Sequence, residues 1–184
     1  WCWSYLCNPF FENYSLTERK GYLRMKASEK TIDQVGTLTF IGRRQTEPRF
    51  QATTAIDVSS LKEGGEAGIT AYAAHYDVVV ECRGGRKYVK AYIRIGQVRH
   101  VEKEFPLNTD LIYLRIEGDY NYYHLSYSED NHRFLPLGKM EYRYLSTETI
   151  GGFTGVHLGL FAQQAKGKSG GSVDVDWFRY SVVK

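Results

Sequence analysis

The double glycine at Gly84 and Gly85 in "HYDVVVECRGGRKYVKAYIRIG" constrains this chain most, because it separates two runs whose residues alternate between apolar and polar. Adjacent glycines supply the positive φ angles of a two-residue hairpin turn, and a period of two marks strands with one buried face. Folding the segment about those glycines sets Cys82 opposite Lys87, Val80 opposite Val89 and Val78 opposite Ala91. One surface then collects Tyr76, Val78, Val80, Val89, Ala91, Ile93 and Ile95, a set fit for a core. The other collects His75, Asp77, Val79 and Glu81 beside Tyr88, Lys90, Tyr92 and Arg94, and is expected to be wet and studded with rings.

The same alternation runs through "RFQATTAIDV", where Phe50, Ala52, Thr54, Ile56 and Val58 share a face. In "LIYLRIEGDYNYYHLSYS", folded about Asp119 and Tyr120, Ile112, Leu114 and Ile116 fall with Tyr123, Leu125 and Tyr127 on the buried side. Tyr113, Arg115, Glu117, Tyr122, His124 and Ser126 are left outside. Further strands are expected at 22–26, 38–43, 67–73, 156–161 and 173–183, and helical periodicity is nearly absent. About ten antiparallel strands separated by turn signals predict an all-β fold, a two-sheet antiparallel β-sandwich of the jelly-roll kind. At 184 residues the chain is expected to form a single domain, residues 1–184, with "AKGKSGG" as a surface loop.

Composition narrows the partners. With 42% hydrophobic and 24% charged residues the chain is not of the disordered class, and no apolar run reaches the length of a membrane span. A net charge of +3, with cations interspersed among acids, lacks the footprint of a nucleic-acid binder. Cys2, Cys7 and Cys82 make an odd number, so they cannot form a complete disulfide framework, although a Cys2–Cys7 bridge stays open. The chain starts at Trp1 without a leader, which reads as a processed or excised segment. Bacterial extracellular and cytoplasmic compartments both stay open.

No HExxH, GxSxG or paired CxxC occurs, and "GKS" at Gly167–Ser169 lacks the earlier glycine of a phosphate loop. The histidines at 75, 100, 124, 132 and 157 show no ligand spacing. Asp174 and Asp176 in "VDVDWF" are expected on one strand face, where two carboxylates could hold calcium, the one cofactor considered. Glu47, Glu117 and Glu148 are carboxylates from which a glycosidase pair could be drawn. Aromatic residues make up 15% of the chain, and many tyrosines are expected to face outward. Exposed rings flanked by charges and amides suit sugars, stacking on C–H patches while the neighbours bond hydroxyls. The same rings would also serve as cross-strand pairs or as an interface with another domain.

Five co-linear stretches, "YSLTERKGYLRMKAS", "FIGRRQTEPRF", "GEAGITAY", "RYLSTETIGGFTGVHLGLFA" and "DVDWFRY", together resemble the C-terminal sandwich of family 43 glycoside hydrolases, β-xylosidase branch. The resemblance spans about Tyr14 to Tyr180. It implies a concanavalin-like jelly roll, a module also classed as xylan-binding carbohydrate-binding module family 91. It also implies a partner, the five-bladed catalytic propeller on which such a sandwich packs. Phe153 matches the aromatic of the GGFTG loop that reaches toward the propeller's pocket, and Gly151 and Gly152 would let the backbone turn sharply there. Arg43, Arg44 and Gln45 match the family's GRRQ run. "SEDNHRF" departs from the expected tight Asp-Gly turn, and "SVDVDW" lacks the usual Ala-Asp-Phe lead. The propeller's three acids are not in these residues, so hydrolysis is not carried over.

Two functions follow as expectations. One is a noncatalytic module binding xylan or xylo-oligosaccharides through Tyr88, Tyr92, Tyr122 and His124 on the sheet face, with Phe153, Arg43, Arg44 and Gln45 at the rim. The other is a structural accessory domain that completes the propeller's pocket and has no sugar affinity alone. A self-standing jelly-roll enzyme is a third and weaker expectation.

Overall fold

The computed structural model describes residues 2–73, 75–151 and 155–183. Alternating apolar residues form, in chain order, β1 (Trp3–Ser4), β2 (Tyr14–Ser15), β3 (Leu23–Lys26), β4 (Thr39–Arg44), β5 (Phe50–Asp57), β6 (Gly65–Tyr72) and β7 (Tyr76–Arg83). They continue as β8 (Arg86–Ile95), β9 (Val98–Pro106), β10 (Leu111–Gly118), β11 (Tyr122–Ser128), β12 (Leu135–Glu141), β13 (His157–Gln164) and β14 (Ser172–Val182). One helical turn, α1 (Thr147–Ile150), follows a 3-10 turn at Tyr142–Leu145.

The strands make two sheets. The first runs β1-β4-β13-β6-β7-β8-β9 and the second β12-β11-β10-β5-β14-β3-β2. Neighbours that are not consecutive in sequence, such as β4-β13-β6, are the crossings of a jelly roll. The hairpin register matches the sequence expectation: Cys82 pairs Lys87, Val80 pairs Val89 and Val78 pairs Ala91. Gly84 and Gly85 have φ of 59° and 70°, the positive angles of a type I′ turn, which glycine adopts without strain. In the second hairpin Gly118 pairs Tyr123, so the turn centres on Tyr120 and Asn121, one residue beyond the expected place. Asp119 causes the shift, because its carboxylate accepts the backbone N–H groups of Asn121 and Tyr122, each at 2.6 Å. Parity is preserved, and Ile112, Leu114, Ile116, Tyr123, Leu125 and Tyr127 pack with Tyr76, Val78 and Val80 in one core between the sheets.

The expectation of a wet outer face on the first sheet is overturned. His75, Asp77, Val79 and Lys90 are buried there. The segment 28–38 crosses that face as a strap, and its Ile32 and Leu38 form a second apolar cluster with Phe40, Val79 and Phe161. The strap is pinned by polar contacts as well. Gln163 accepts the N–H of Ile32 at 2.9 Å, and Asp33 meets His75, Arg94 and Arg99 at 2.9, 3.1 and 2.9 Å. Lys90, though buried, is neutralised by Glu66 and Glu81 at 2.7 and 3.0 Å. The architecture is therefore strap, first sheet, second sheet.

A β-bulge between Val175 and Trp177 re-phases β14. Val175 packs in the core before it and Phe178 and Tyr180 pack against the core after it, so Trp177 takes the outer face beside Tyr113, at a ring separation of 6.1 Å.

Candidate functional site

One end of the sandwich brings the GRRQ stretch beside Gly155 and Val156. β4 ends there, β13 begins there, and the turns at Tyr142–Ile150 lie between them. Gln45 is the node. The buried Tyr123 hydroxyl donates to Gln45 Oε1 at 2.7 Å, and Gln45 Nε2 donates to the Tyr142 hydroxyl at 3.0 Å and to the Glu47 carbonyl at 2.9 Å. The Tyr123 and Tyr142 rings stack at 5.0 Å, and Gln45 N–H donates to the Val156 carbonyl at 2.9 Å. Burial pushes the Tyr123 phenol far above its ordinary pKa, so it stays a neutral donor.

Arg43 and Arg44 part company. Arg43 lies over the Tyr180 ring at 4.2 Å, half-buried, whereas Arg44 is exposed and stands against Gly155, the foot of the loop. Gly155 has φ of 68°, a backbone conformation that calls for glycine, and a Cβ there would sit 3.2 Å from Arg44 Nη2. His157, next along, is held below the usual imidazole pKa by burial and by the Arg44 charge, against a hydrogen bond with the Gly155 backbone. The single turn of α1 is flanked by two clefts. One, of about 310 Å³, is lined by Arg44, Gln45, Tyr142, Ser146, Glu148 and Gly155. The other, of about 410 Å³, is lined by Arg94, Tyr144, Thr149 and Ile150. Phe153, with Gly152 and Thr154, lies outside the described residues.

The expected sugar platform does not assemble. Tyr88 and Tyr92 stand on the outer side of the first sheet, and Tyr122 and His124 stand on the outer side of the second, so the sandwich itself separates them. Alternation tells which side of its own sheet a residue takes but not which sheet a strand joins. Tyr88 and Tyr92 are moreover half-buried under Arg83 and Arg99, at 4.6 and 4.8 Å from their ring centres.

The calcium candidates are also set apart. Asp174 is buried, with Oδ1 accepting from Arg24 at 2.8 Å and Oδ2 accepting from Arg24 at 2.9 Å and from Arg19 at 3.0 Å. Arg24 and Arg19 hold its carboxyl below the usual range. Two guanidinium groups thus stand where a cation would have to sit. Asp176 is the extra residue of the bulge and is exposed. Among the described residues no cluster of three or more His, Cys, Asp or Glu side chains is arranged to hold a metal. Of the carboxylates considered for acid catalysis, Glu47 and Glu148 line the same cleft. Glu148, however, is held below its ordinary pKa by its own backbone N–H and the Ser146 hydroxyl, opposite to what a general acid needs.

Sequence reasoning missed the structural part of Gln45 and the strap. "EYRYLSTE" carried a usable signal for the first, since two tyrosines two residues apart before a turn need polar partners for their hydroxyls.

Two seven-stranded antiparallel sheets around one core, with loop clefts at one end, define a concanavalin-like β-sandwich domain. The β-xylosidase C-terminal concanavalin A-like domain matches residues 1–181, and the chain belongs to that family. It is 30% identical over 183 residues to the non-reducing end α-L-arabinofuranosidase BoGH43B of Bacteroides ovatus, covering 97% of this chain and 34% of that protein. Among solved structures, the Bacteroides ovatus xyloglucan PUL GH43B superposes with a TM-score of 0.88 at 28% identity, over 98% of this chain and 36% of the other. The GH43 BlXynB protein of Bacillus licheniformis has a TM-score of 0.89 at 21% identity, over 98% and 37%, a likeness of fold. The chain spans about a third of the length of these relatives.

Proposed function

We propose that this chain is a noncatalytic accessory domain of a family 43 glycoside hydrolase, which seats the end bearing Arg44, Gln45 and the 151–155 loop against a catalytic propeller and helps wall its sugar pocket. The observation that carries it is the Gln45 node, which ties β4, β11 and the turn before α1 into one rigid rim around the two clefts. The Arg44 side chain, beside Gly155, then faces a partner from a fixed base. The relatives' names point to xylosides and arabinofuranosides as the substrates of such an enzyme. The separation of Tyr88 and Tyr92 from Tyr122 and His124 weighs against a single extended xylan-binding platform.

The purified chain is expected to show no turnover of nitrophenyl xyloside or nitrophenyl arabinofuranoside. Mixed with a separately produced family 43 propeller, it is expected to form a complex by size exclusion and raise xylosidase activity. Measurable hydrolysis by the chain alone sinks the proposal, as does a propeller whose activity it leaves unchanged. Phe153→Ala is expected to weaken that complex while moving the melting temperature by less than about 2 °C, the outcome for a side chain that serves the partner and not the core. A large drop in melting temperature would instead make Phe153 a core residue.

A further inference from the structure

A third cleft, of about 420 Å³, opens at the β12 edge of the second sheet, where β9 of the first sheet lies alongside. Its floor is β11 and β12, where the register slips between Leu125 and Ser126 and sets Ser126 opposite Pro136. Proline has no N–H to offer. Ser126 lines the cleft, is 8% exposed, and its hydroxyl has no hydrogen-bond partner among the described residues. A buried hydroxyl left unpaired costs about 1–3 kcal/mol, so it calls for a partner that the chain itself does not supply.

The surroundings say what that partner is. Phe134 lines the same cleft and is locked in place by the Arg115 guanidinium, 3.4 Å from its ring centre. Across the floor stand His124, whose imidazole bonds the Asp119 carboxylate at 2.8 Å, and Glu117, whose Oε1 accepts from Gln51 at 2.8 Å. Lys139 completes that side and reaches over the Tyr122 ring at 4.6 Å. From the neighbouring β9, Glu102 and Lys103 close the rim. Two carboxylates against two ammonium groups leave no net field for an anion. A held aromatic ring beside donors, acceptors and an unpaired hydroxyl fits a neutral polyol with apolar C–H faces. The volume lies at the low end of ligand sites, enough for one or two sugar rings and not for a long chain.

We propose that this cleft is a sugar subsite for a short neutral oligosaccharide, with Phe134 as stacking wall and Ser126, His124, Glu117 and Lys139 as hydroxyl partners. It is separate from the docking end, so each can fail without the other. The test is amide mapping by nuclear magnetic resonance of the 184-residue chain titrated with xylotriose, with inorganic phosphate as anionic probe. The expected result is saturable, millimolar shifts confined to residues 117, 124–126 and 134–139. Phe134→Ala and, as a second variant whose exposed side chain spares the fold, His124→Ala are each expected to weaken binding at least tenfold with the spectrum otherwise unchanged. The inference is overturned by no shift at saturating solubility of xylotriose or by shifts centred on 151–155. It is equally overturned by the same shifts with phosphate, or by variants that bind as the parent does.

Discussion

Replacing Gln45 by Leu is expected to lower the melting temperature by roughly 2–12 °C, taking about 1–3 kcal/mol for an unpaired buried hydroxyl and 2–4 °C per kcal/mol for a chain of this size. The side-chain volume is nearly conserved, so packing changes little. What is lost is the acceptor for Tyr123, a residue with 0% exposure, and the donor to Tyr142. Tyr123 has nowhere else to turn, because Phe50, Tyr76 and Tyr142 surround its ring at 5.9, 5.6 and 5.0 Å. Thermal unfolding followed by circular dichroism checks this. A shift below about 1 °C would mean that the aromatic stack, and not Gln45, holds the rim. The same variant is expected to lose affinity for a catalytic propeller, because the turns it frees are those flanking the clefts.

The second large effect is on the strap and is read with pH. His75 sits at φ of 130°, a region that favours glycine, and its ring is 1% exposed between Asp77 and Asp33, at 2.9 Å from each. Burial opposes its charge, but the Asp77 and Asp33 carboxylates outweigh burial and lift the imidazole from 6.5 to about 9. Arg94 and Arg99 face the same site through Asp33. The folded value is raised, so this stabilisation is complete below pH 6.5 and is lost as pH rises through about 9. At 1.36 kcal/mol per unit the loss is on the order of 3 kcal/mol, since burial is nearly total and solvent screens little. Urea unfolding at pH 6 and pH 9.5 is expected to show that drop, and His75→Gln is expected to flatten it. Equal stability at both values, or a variant with the parent's slope, refutes the assignment.

How far the sequence carried the fold is clear from particular residues. Gly84 and Gly85 set the register of β7 and β8 residue by residue, because a two-glycine turn admits only one alignment. Around Asp119 the parity was legible and the turn centre was not, since a carboxylate that gathers two N–H groups moves the turn without moving any side chain to the other face. The strap had no legible signal, because irregular backbone has no period. Val79, Phe40 and Phe161, apolar at outward positions of three strands, were its only trace. The candidate site suffered from the same gap between local and global information. Each tyrosine was given its correct side, but β8 and β11 lie in different sheets, so residues read as one surface stand on opposite sides of the molecule. His124 kept its place at a cleft, whereas Ser126, Phe134 and Lys139 were invisible as a group, because the bulge and the return of β12 bring them together.

The extra residue at Asp176 has a consequence for how such a chain can vary. It works as a half-step in the rhythm of the last strand: inward positions are odd-numbered up to Val175 and even-numbered from Phe178 onward. Ironing out the bulge while keeping that residue would turn Trp177 and Arg179 into the interior and cast Phe178 and Tyr180 out, whereas deleting Asp176 itself would leave every downstream side chain on its present face. A descendant can therefore shed this one residue and keep the spelling of the rest of the strand, but one that keeps the residue must also keep the kink that absorbs it.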